Sequence, residues 1–226
     1  MKKILIVAAH PDDETLGAGA TIAKHIVNGD DVHVIILGEG ITSRYNKREL
    51  ANKDEVHSLK NDCVRALGVL GVKNVYFFDL PDNRFDTVPF LDIVKKIESK
   101  IHDIVPEEVY THYGGDLNID HTLTFEAVMV VCRPFNSSVK RVFCFEIPSS
   151  TEWNFHQKGS FTPNVFVNVE KTIDKKLSAM KEYKTEMRPY PHPRSIELAE
   201  SLSKVRGSAA GFMAAEAFML IIERVV

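Results

Sequence analysis

The densest group of chemically active side chains in the sequence is the run His10-Pro11-Asp12-Asp13-Glu14, which follows a short apolar stretch. His10 and Asp13 are three residues apart, so both can face one point if the chain turns or begins a helix there. Three adjacent carboxylates repel one another, and a bound cation would relieve that repulsion. The alternative is that the acids only cap a following helix near its positive end. Capping explains one acid but not a histidine followed by three, so the run predicts a metal site.

A second polar cluster occupies residues 111–121, with the sequence THYGGDLNIDH. Its last residue, His121, could supply a second imidazole to the same metal. Two histidines and one carboxylate leave a tetrahedral Zn²⁺ with one open position for water, which is typical of catalytic sites. Fe²⁺ or Co²⁺ would accept similar ligands. Asp116 and Asn118 have an alternative role, because both residue types also shape turns.

Strand and helix patterns alternate through the first two thirds of the chain, and this alternation must position both clusters. It predicts an α/β fold with a Rossmann-like, mostly parallel sheet and helices on both faces. Ligands of such sheets bind beyond the carboxyl ends of the strands, so both clusters should lie at one edge. The apolar runs predict strands at 4–9, 32–37, 74–80, 108–113 and 139–147. Helical spacing predicts helices at 17–27, about 47–67, 90–104 and 123–132.

The pattern changes after residue 147. We expect a single domain over 1–226, made of a Rossmann-like core at 1–147 and a C-terminal strand and helix extension, 148–226, packed on it. The extension predicts a short strand at 165–169 and a helix at 172–183. A proline-rich segment follows, and the last thirty residues look largely helical.

Composition excludes several classes of protein. The 226 residues carry a formal net charge of −3, so there is no basic excess to drive nucleic-acid or membrane binding. The three cysteines are an odd number without a CxxC pair, which favours small buried core residues in a reducing compartment. The first apolar run is too short for a signal peptide or a membrane span. We therefore expect a cytoplasmic protein.

The run Ala8–Glu14, with Gly17 after it, resembles the AHPDDE signature of the PIG-L/LmbE-like zinc de-N-acetylases. Asp120-His121 resembles the second motif of that family, and Ala215–Phe218 resembles its common AEAF ending. The resemblance therefore covers nearly the whole chain. Members remove the acetyl group from N-acetylglucosamine-type substrates, so the resemblance implies a zinc-dependent hydrolase that acts on an amide bond.

Particular roles follow from this resemblance. It implies that His10, Asp13 and His121 are the metal ligands, holding Zn²⁺ or, alternatively, Fe²⁺ or Co²⁺. It implies that Asp12 is the general base for attack of metal-bound water on the acetamide carbonyl. The products would be acetate and an amino sugar. The resemblance is also compatible with a homo-oligomer.

One position departs from the family pattern. Members often have His-x-Asp-His in the second motif, and Asn118 stands here at the first histidine. An amide can donate a hydrogen bond to a developing oxyanion but cannot act as an acid near neutral pH. Either Asp12 performs both proton transfers, or another group such as His112 serves. Asp120 and Glu14 are expected to orient their neighbours rather than to bind the metal.

The substrate contacts are the least specific part of the prediction. Arg194 and Ser195 are predicted to begin a helix, and a helix N-terminus beside an arginine is suited to anions. That interpretation favours a sugar nucleotide or a glycoconjugate precursor, while the alternative makes Ser195 an ordinary N-cap. The other candidates are equally consistent with a solvated arginine or an Asx turn. The full set of candidate substrate contacts is Arg44, Asp82, His112, His192 and Arg194.

Three hypotheses remain in competition. The leading one is a metal-dependent deacetylase that acts on a small-molecule N-acetylated sugar, without nucleic-acid or membrane partners. The nearest rival is a zinc amidase that acts on a non-sugar or thiol-conjugate amide. A rival of another class is a non-catalytic Rossmann-like ligand-binding module. The loop after the first strand lacks GxGxxG, and its acids would repel a pyrophosphate, which argues against dinucleotide binding.

Overall fold

The computed structural model describes residues 1–135, 137–155 and 157–225. The strands are β1 (Lys3–Ala8), β2 (Asp31–Gly38), β3 (Asn74–Leu80), β4 (Glu108–His112), β5 (Arg141–Phe145), β6 (Val165–Asn168) and β7 (Ala215–Glu223). The α-helices are α1 (Asp13–Val27), α2 (Lys53–Leu70), α3 (Phe90–Ile104), α4 (Ile119–Val131), α5 (Ile173–Met180) and α6 (Ile196–Ala210).

Within the described residues, the strands form one sheet in the order β3-β2-β1-β4-β5-β7-β6. Strands β1 to β5 pair in parallel, whereas β7 runs antiparallel to both β5 and β6. Strand β1 lies in the middle of the parallel part, and Ile4–Ala8 is fully buried, as expected for a strand covered on both faces. The predicted α/β fold with a mostly parallel sheet is confirmed.

Helices cover both faces of the sheet and bury two separate apolar cores. On one face, α1, α2 and α5 pack over side chains such as Ile4 and Ile36. On the other face, α3 and α4 pack over Leu5 and Ile35. Helix α1 approaches β5 so closely that a Cβ added at Gly17 would overlap the ring of Phe145. This close approach explains why the helix that follows the acidic run carries a glycine there.

The predicted helical C-terminus is wrong in part. Helix α6 ends at Ala210 and is capped by Gly211, which has the left-handed φ of 77° that favours glycine. The segment Ala215–Glu223 then forms β7, which fills the position between β5 and β6. Glu216 fixes this strand by accepting hydrogen bonds from the backbone N–H groups of Ala20 and Thr21. Pairing with β5 and β6 thus makes this segment a strand where the sequence suggested a helix, and the extension completes the sheet.

Two helices begin earlier than predicted, and both changes affect the site. Helix α1 begins at Asp13 rather than Gly17, so the acidic run enters its first turn. Helix α4 begins at Ile119 rather than Leu123, after Asn118 caps its N-terminus by accepting from the N–H of Asp120 at 2.8 Å. Both polar clusters therefore sit where a strand passes into a helix.

Two expectations about the environment of the chain can be compared with the structure. Cys63, Cys132 and Cys144 are all buried free thiols, as the sequence predicts. Burial raises the pKa of Cys132 to about 12, so that thiol stays protonated near neutral pH. Among the described residues, no helix combines the length and the apolar character needed to cross a membrane.

Candidate active site

A polar cavity of about 180 Å³ opens at the carboxyl ends of the parallel strands. Loops after β1, β2, β3 and β4 contribute to its wall, as the sequence predicts for an α/β sheet. The C-terminal extension contributes the remaining side. The lining residues are His10, Pro11, Asp12, Gly40, Ile41, Ser43, Arg44, Leu59, Asp82, Asn83, Asn118, Glu186 and Arg194.

The three predicted metal ligands lie close together, and one of them, His10, lines this cavity. Nδ1 of His10 and Nε2 of His121 each lie 3.3 Å from Oδ2 of Asp13. All three side chains are buried, and their ligand atoms lie within 4.8 Å of one another. The other oxygen of Asp13, Oδ1, is buried without a hydrogen bond. A buried carboxylate oxygen without a partner is costly, so this donor set fits a metal ion.

Each of the two histidines is held by a carboxylate on its far side. Nε2 of His10 lies 2.9 Å from Oδ2 of Asp120, and Nδ1 of His121 lies 3.1 Å from Oδ1 of Asp116. When either ring is neutral, a proton on its outer nitrogen faces this carboxylate, and the inner nitrogen is the one that could bind a metal. Asp120 therefore lies where the sequence predicts an orienting residue, and Asp116 has the equivalent position for His121.

A second group that could hold a cation consists of His10, Asp82 and Asp120. Asp120 already accepts hydrogen bonds from the backbone N–H groups of Asn83 at 2.6 Å and Phe85 at 2.9 Å. Its oxygens are thus occupied, whereas Oδ1 of Asp13 is not. The group His10, Asp13 and His121 is therefore the better candidate.

The electrostatics of the cluster favour positive charge between the ligands. Burial alone would raise the pKa of Asp13, but His121 and His112 hold it well below its usual value. Burial would likewise lower the pKa of His121, yet Asp13 and Asp116 raise it to about 9. Ionised carboxylates thus stabilise protons on His10 and His121 in the metal-free protein, whereas burial lowers the pKa of His112. A bound cation would satisfy the same negative charge.

Asp12 lies beside the metal cluster in a strained backbone conformation. Its φ of 112° and ψ of −31° are unusual for a residue with a side chain, and such strain persists only where the surroundings impose it. The Asp12 N–H donates to Oε2 of Glu14 at 3.1 Å, and Tyr183 Oη donates to the other oxygen of Glu14. Burial raises the pKa of Asp12 well above its usual value, although Arg194 opposes the shift.

Asn118 reaches the same cavity from the N-terminus of α4. Its Oδ1 caps the helix, so the expected turn or capping role is present. The cap also fixes the orientation of the amide. Within the described residues, Nδ2 of Asn118 makes no hydrogen bond, and it remains available as a donor to a ligand.

Three of the predicted substrate contacts, Arg44, Asp82 and Arg194, line the cavity. His112 does not, because its side chain is 0% exposed and its Nε2 accepts from the N–H of Ala9 at 2.9 Å. Its ring stacks on His121 with centroids 4.0 Å apart. His112 therefore packs against His121 and has no surface with which to contact a substrate.

The predicted anion site at the start of α6 is not formed. Ser195 is fully buried and caps α6 by accepting from the N–H of Leu198 at 3.1 Å, so the N-cap alternative is the correct one. His192 lies outside the cavity wall, and its Nδ1 accepts from the N–H of Arg194 at 3.0 Å. The guanidinium of Arg194 is paired with Asp12 at 2.7 Å rather than free.

Sequence reasoning missed Glu186 and Tyr183, and it assigned Asp116 only a turn. Glu186 lies between Arg44 and Arg194, and Tyr183 reaches Glu14 across the core. None of these side chains belongs to a recognisable local motif. The spacing of Asp116 five residues before His121 was the one available signal.

The structure places a group of side chains that could hold a metal ion at the edge of a mostly parallel α/β sheet, and comparison with known proteins assigns the family. The model of the family described as "PIG-L: GlcNAc-PI de-N-acetylase" matches residues 5–132. This match spans more than half of the chain and includes both polar clusters. The chain belongs to the PIG-L family.

Curated relatives agree with this assignment. The uncharacterized deacetylase YaiS of Escherichia coli strain K12 is 28% identical over 190 residues, which cover 81% of this chain and 91% of the relative. The diacetylchitobiose deacetylase of Thermococcus kodakarensis is 24% identical over 193 residues, which cover 82% of this chain and 70% of the relative. These homologues are named as deacetylases.

A solved structure with the same fold belongs to a protein that is named for a different reaction. The structure of GalB, the 4-carboxy-2-hydroxymuconate hydratase from Pseudomonas putida KT2440, matches with a TM-score of 0.76 and 24% identity. The match covers 100% of this chain and 98% of that chain. Because that protein is named as a hydratase, the fold does not fix the reaction, which must be argued from the side chains.

Proposed function

We propose that this protein is a metal-dependent hydrolase that removes the acetyl group from an N-acetylated amino sugar. The observation that carries the proposal is the convergence of His10, Asp13 and His121, next to a polar cavity that His10 and Asp12 line. Membership of the PIG-L family and relatives named as deacetylases support the same chemistry. The polar wall suits a ligand rich in hydroxyl groups better than an apolar amide.

His10, Asp13 and His121 would hold the metal, and we propose Zn²⁺ because two imidazoles and one carboxylate match its preferred ligands. When bound, the metal supplies Lewis acidity, which activates water and polarises the acetamide carbonyl. Asp120 and Asp116 keep the two imidazoles oriented toward that position.

Asp12 would act as the general base. Its carboxylate lies at the cavity wall next to the metal cluster, and Arg194 holds Oδ2 at 2.7 Å. Asp12 would take a proton from water as the carbon–oxygen bond forms and deliver it to the leaving amine as the carbon–nitrogen bond breaks. The products are acetate and the free amino sugar.

Asn118 would stabilise the charge that develops on the acetamide oxygen. Its Nδ2 is a donor in the cavity, held in place by the cap that Oδ1 makes. A preorganised donor of this kind strengthens its hydrogen bond as negative charge develops. Since the amide cannot transfer a proton, both proton transfers fall to Asp12.

We also propose a cytoplasmic location, which the three buried free thiols support. The free thiols are consistent with a reducing compartment, since an oxidising one favours disulfides. The oligomeric state stays a prediction, and measurement of the molar mass in solution would test it directly.

Acetate release tests the proposed function. The metal-loaded protein is assayed with a methyl glycoside of N-acetylglucosamine, the free sugar, N-acetylated nucleotide sugars and simple N-acetyl amines, each with and without a chelator. Release from the sugars that a chelator abolishes and added metal restores would support the proposal. Release from simple amides alone would favour the amidase, and release from none by a metal-loaded protein would contradict the proposal.

A further inference from the structure

The arginines that line the cavity in the described part of the chain already have anionic partners. Nη2 of Arg44 donates to both oxygens of Glu186, at 2.8 and 2.7 Å. Nη1 of Arg194 donates to Asp12 at 2.7 Å and lies 3.4 Å from Oε2 of Glu186. The Glu186 carboxylate therefore sits between the two guanidinium groups that an anionic ligand would otherwise contact.

Glu186 is itself well held. It is only 6% exposed, and the hydroxyl of Thr185 donates to Oε1 at 3.0 Å. If this buried carboxylate moved into solvent, Arg44 would lose its acidic partner and Arg194 would keep only Asp12, which is costly. Glu186 is thus a fixed part of the cavity wall rather than a mobile surface acid.

The rest of the wall adds no unpaired positive charge. Asp82 accepts from the backbone N–H and the hydroxyl of Ser43, at 3.0 and 2.6 Å, and contributes further negative charge. The cavity wall also holds His10, whose Nε2 lies 3.2 Å from Asp82 and 2.9 Å from Asp120, so this side chain too is already paired with acids. A phosphate or carboxylate group that entered here would be repelled by these acids. The two arginines could not offset that repulsion, because they are already paired with Glu186 and Asp12.

We propose that Glu186 is a specificity-determining residue that makes the cavity select neutral N-acetyl sugars over anionic ones. By pairing with Arg44 and Arg194, it removes the positive charge that would bind a phosphate, and its own charge repels one. This inference rests on the proposed function and narrows its substrate class. It also replaces the expectation of a nucleotide-sugar substrate, because the predicted anion site is not formed.

The test compares one sugar in neutral and anionic forms. The values of kcat/KM for the methyl glycoside of N-acetylglucosamine, for N-acetylglucosamine 1-phosphate and for N-acetylglucosamine 6-phosphate are measured with the wild type and with Glu186→Gln. We expect the wild type to favour the neutral sugar by about tenfold or more, because like charges in an interface are strongly disfavoured. In Glu186→Gln this ratio should fall by about tenfold, since Arg44 loses its acidic partner, Arg194 keeps only Asp12, and the negative charge of Glu186 is gone.

Glu182→Gln is the matched control, because Glu182 also pairs with an arginine, Arg65, at 3.0 Å but lies outside the cavity. Its selectivity should equal that of the wild type. Inorganic phosphate provides a second readout, since it should inhibit Glu186→Gln at about tenfold lower concentration than it inhibits the wild type. If Glu186→Gln does not fold, Glu186→Ala replaces it with the same expected direction.

The outcomes separate this inference from the proposed function. A wild type that prefers a phosphorylated sugar would overturn charge selection while leaving the deacetylase proposal intact. An unchanged ratio in a folded Glu186 variant would do the same. A metal-loaded wild type that releases acetate from neither form would overturn the proposed function and, with it, this inference.

Discussion

The two halves of the site are built in different ways. The sheet half takes His10, Asp13 and His121 from segments where a strand ends and a helix begins. The extension half takes Tyr183, Glu186 and Arg194 from turns that reach the site only through hydrogen bonds and ion pairs to distant residues. In the proposed mechanism the sheet edge supplies the chemistry, whereas the turns that cover it position the reacting groups and select the substrate.

The largest loss of metal binding and activity is expected when one of the proposed ligands in the sheet half is removed. His121→Ala should lower metal affinity by more than about 100-fold, since loss of a partner behind a ligand already costs about 10–100-fold. Metal content after dialysis and acetate release should both fall to background. His25→Ala is the control, because His25 is bonded to Asp30 and Tyr110 away from the cluster. Full metal occupancy in His121→Ala would remove His121 from the ligand set.

Asn118→Ala tests whether the sheet half also supplies an oxyanion donor. The variant should lose about 10²- to 10³-fold in kcat with little change in metal content. It should also lose about 1 kcal/mol of stability, because Asn118 caps α4. Asn52→Ala makes a matched control, since Asn52 caps α2 by accepting from the N–H of Asp54 at 2.9 Å. If both variants keep wild-type turnover, Asn118 is a cap alone.

The pH dependence of metal binding sharpens the electrostatic account of the sheet half. The pKa of His121 in the metal-free protein is raised to about 9, so the ring is protonated at pH 7 and must lose that proton to bind a metal. For each proton that metal binding releases, the metal affinity should therefore rise about tenfold per pH unit. The rise should stop at about pH 9, where the free ring loses its proton. Calorimetric titration at several pH values measures this slope. An affinity independent of pH between 7 and 9 would contradict it.

Tyr183→Phe tests the positioning role of the extension half, with the smallest expected effect. Loss of the hydroxyl removes a hydrogen bond to Glu14, whose other oxygen holds the strained backbone of Asp12. We expect kcat to fall by about tenfold with KM and metal content unchanged, and stability to fall by about 1–3 kcal/mol. Tyr110→Phe removes another buried hydroxyl, 3.1 Å from His25, and should keep wild-type kcat. Equal kcat in both variants would make Tyr183 purely structural.

The same division explains what could be predicted from the sequence. The mostly parallel sheet and the placement of both polar clusters at one edge follow from local patterns, because parallel strands bring their carboxyl ends to one edge. The order of the strands does not follow from those patterns. Glu186 and Tyr183 could not be found in this way. Their partners lie 142 and 169 residues away, and no local spacing encodes such contacts.

The C-terminal strand shows the same limit for the fold. The segment Ala215–Glu223 has no local signal that separates a buried strand from a buried helix. It becomes β7 because β5 and β6 offer unpaired edges and because the N–H groups at Ala20 and Thr21 bind Glu216. The proline-rich segment was predicted as irregular, but its packing of Arg194 against Asp12 depends on the folded extension.

The most direct test of the central claim is to measure metal content and acetate release on one preparation of Asp12→Asn. We expect this variant to bind as much metal as the wild type, because His10, Asp13 and His121 remain. We also expect kcat to fall by about 10²- to 10⁴-fold, because the general base is gone. Loss of metal together with activity would make Asp12 a ligand, and wild-type turnover would show that the sheet edge does not use it as the base.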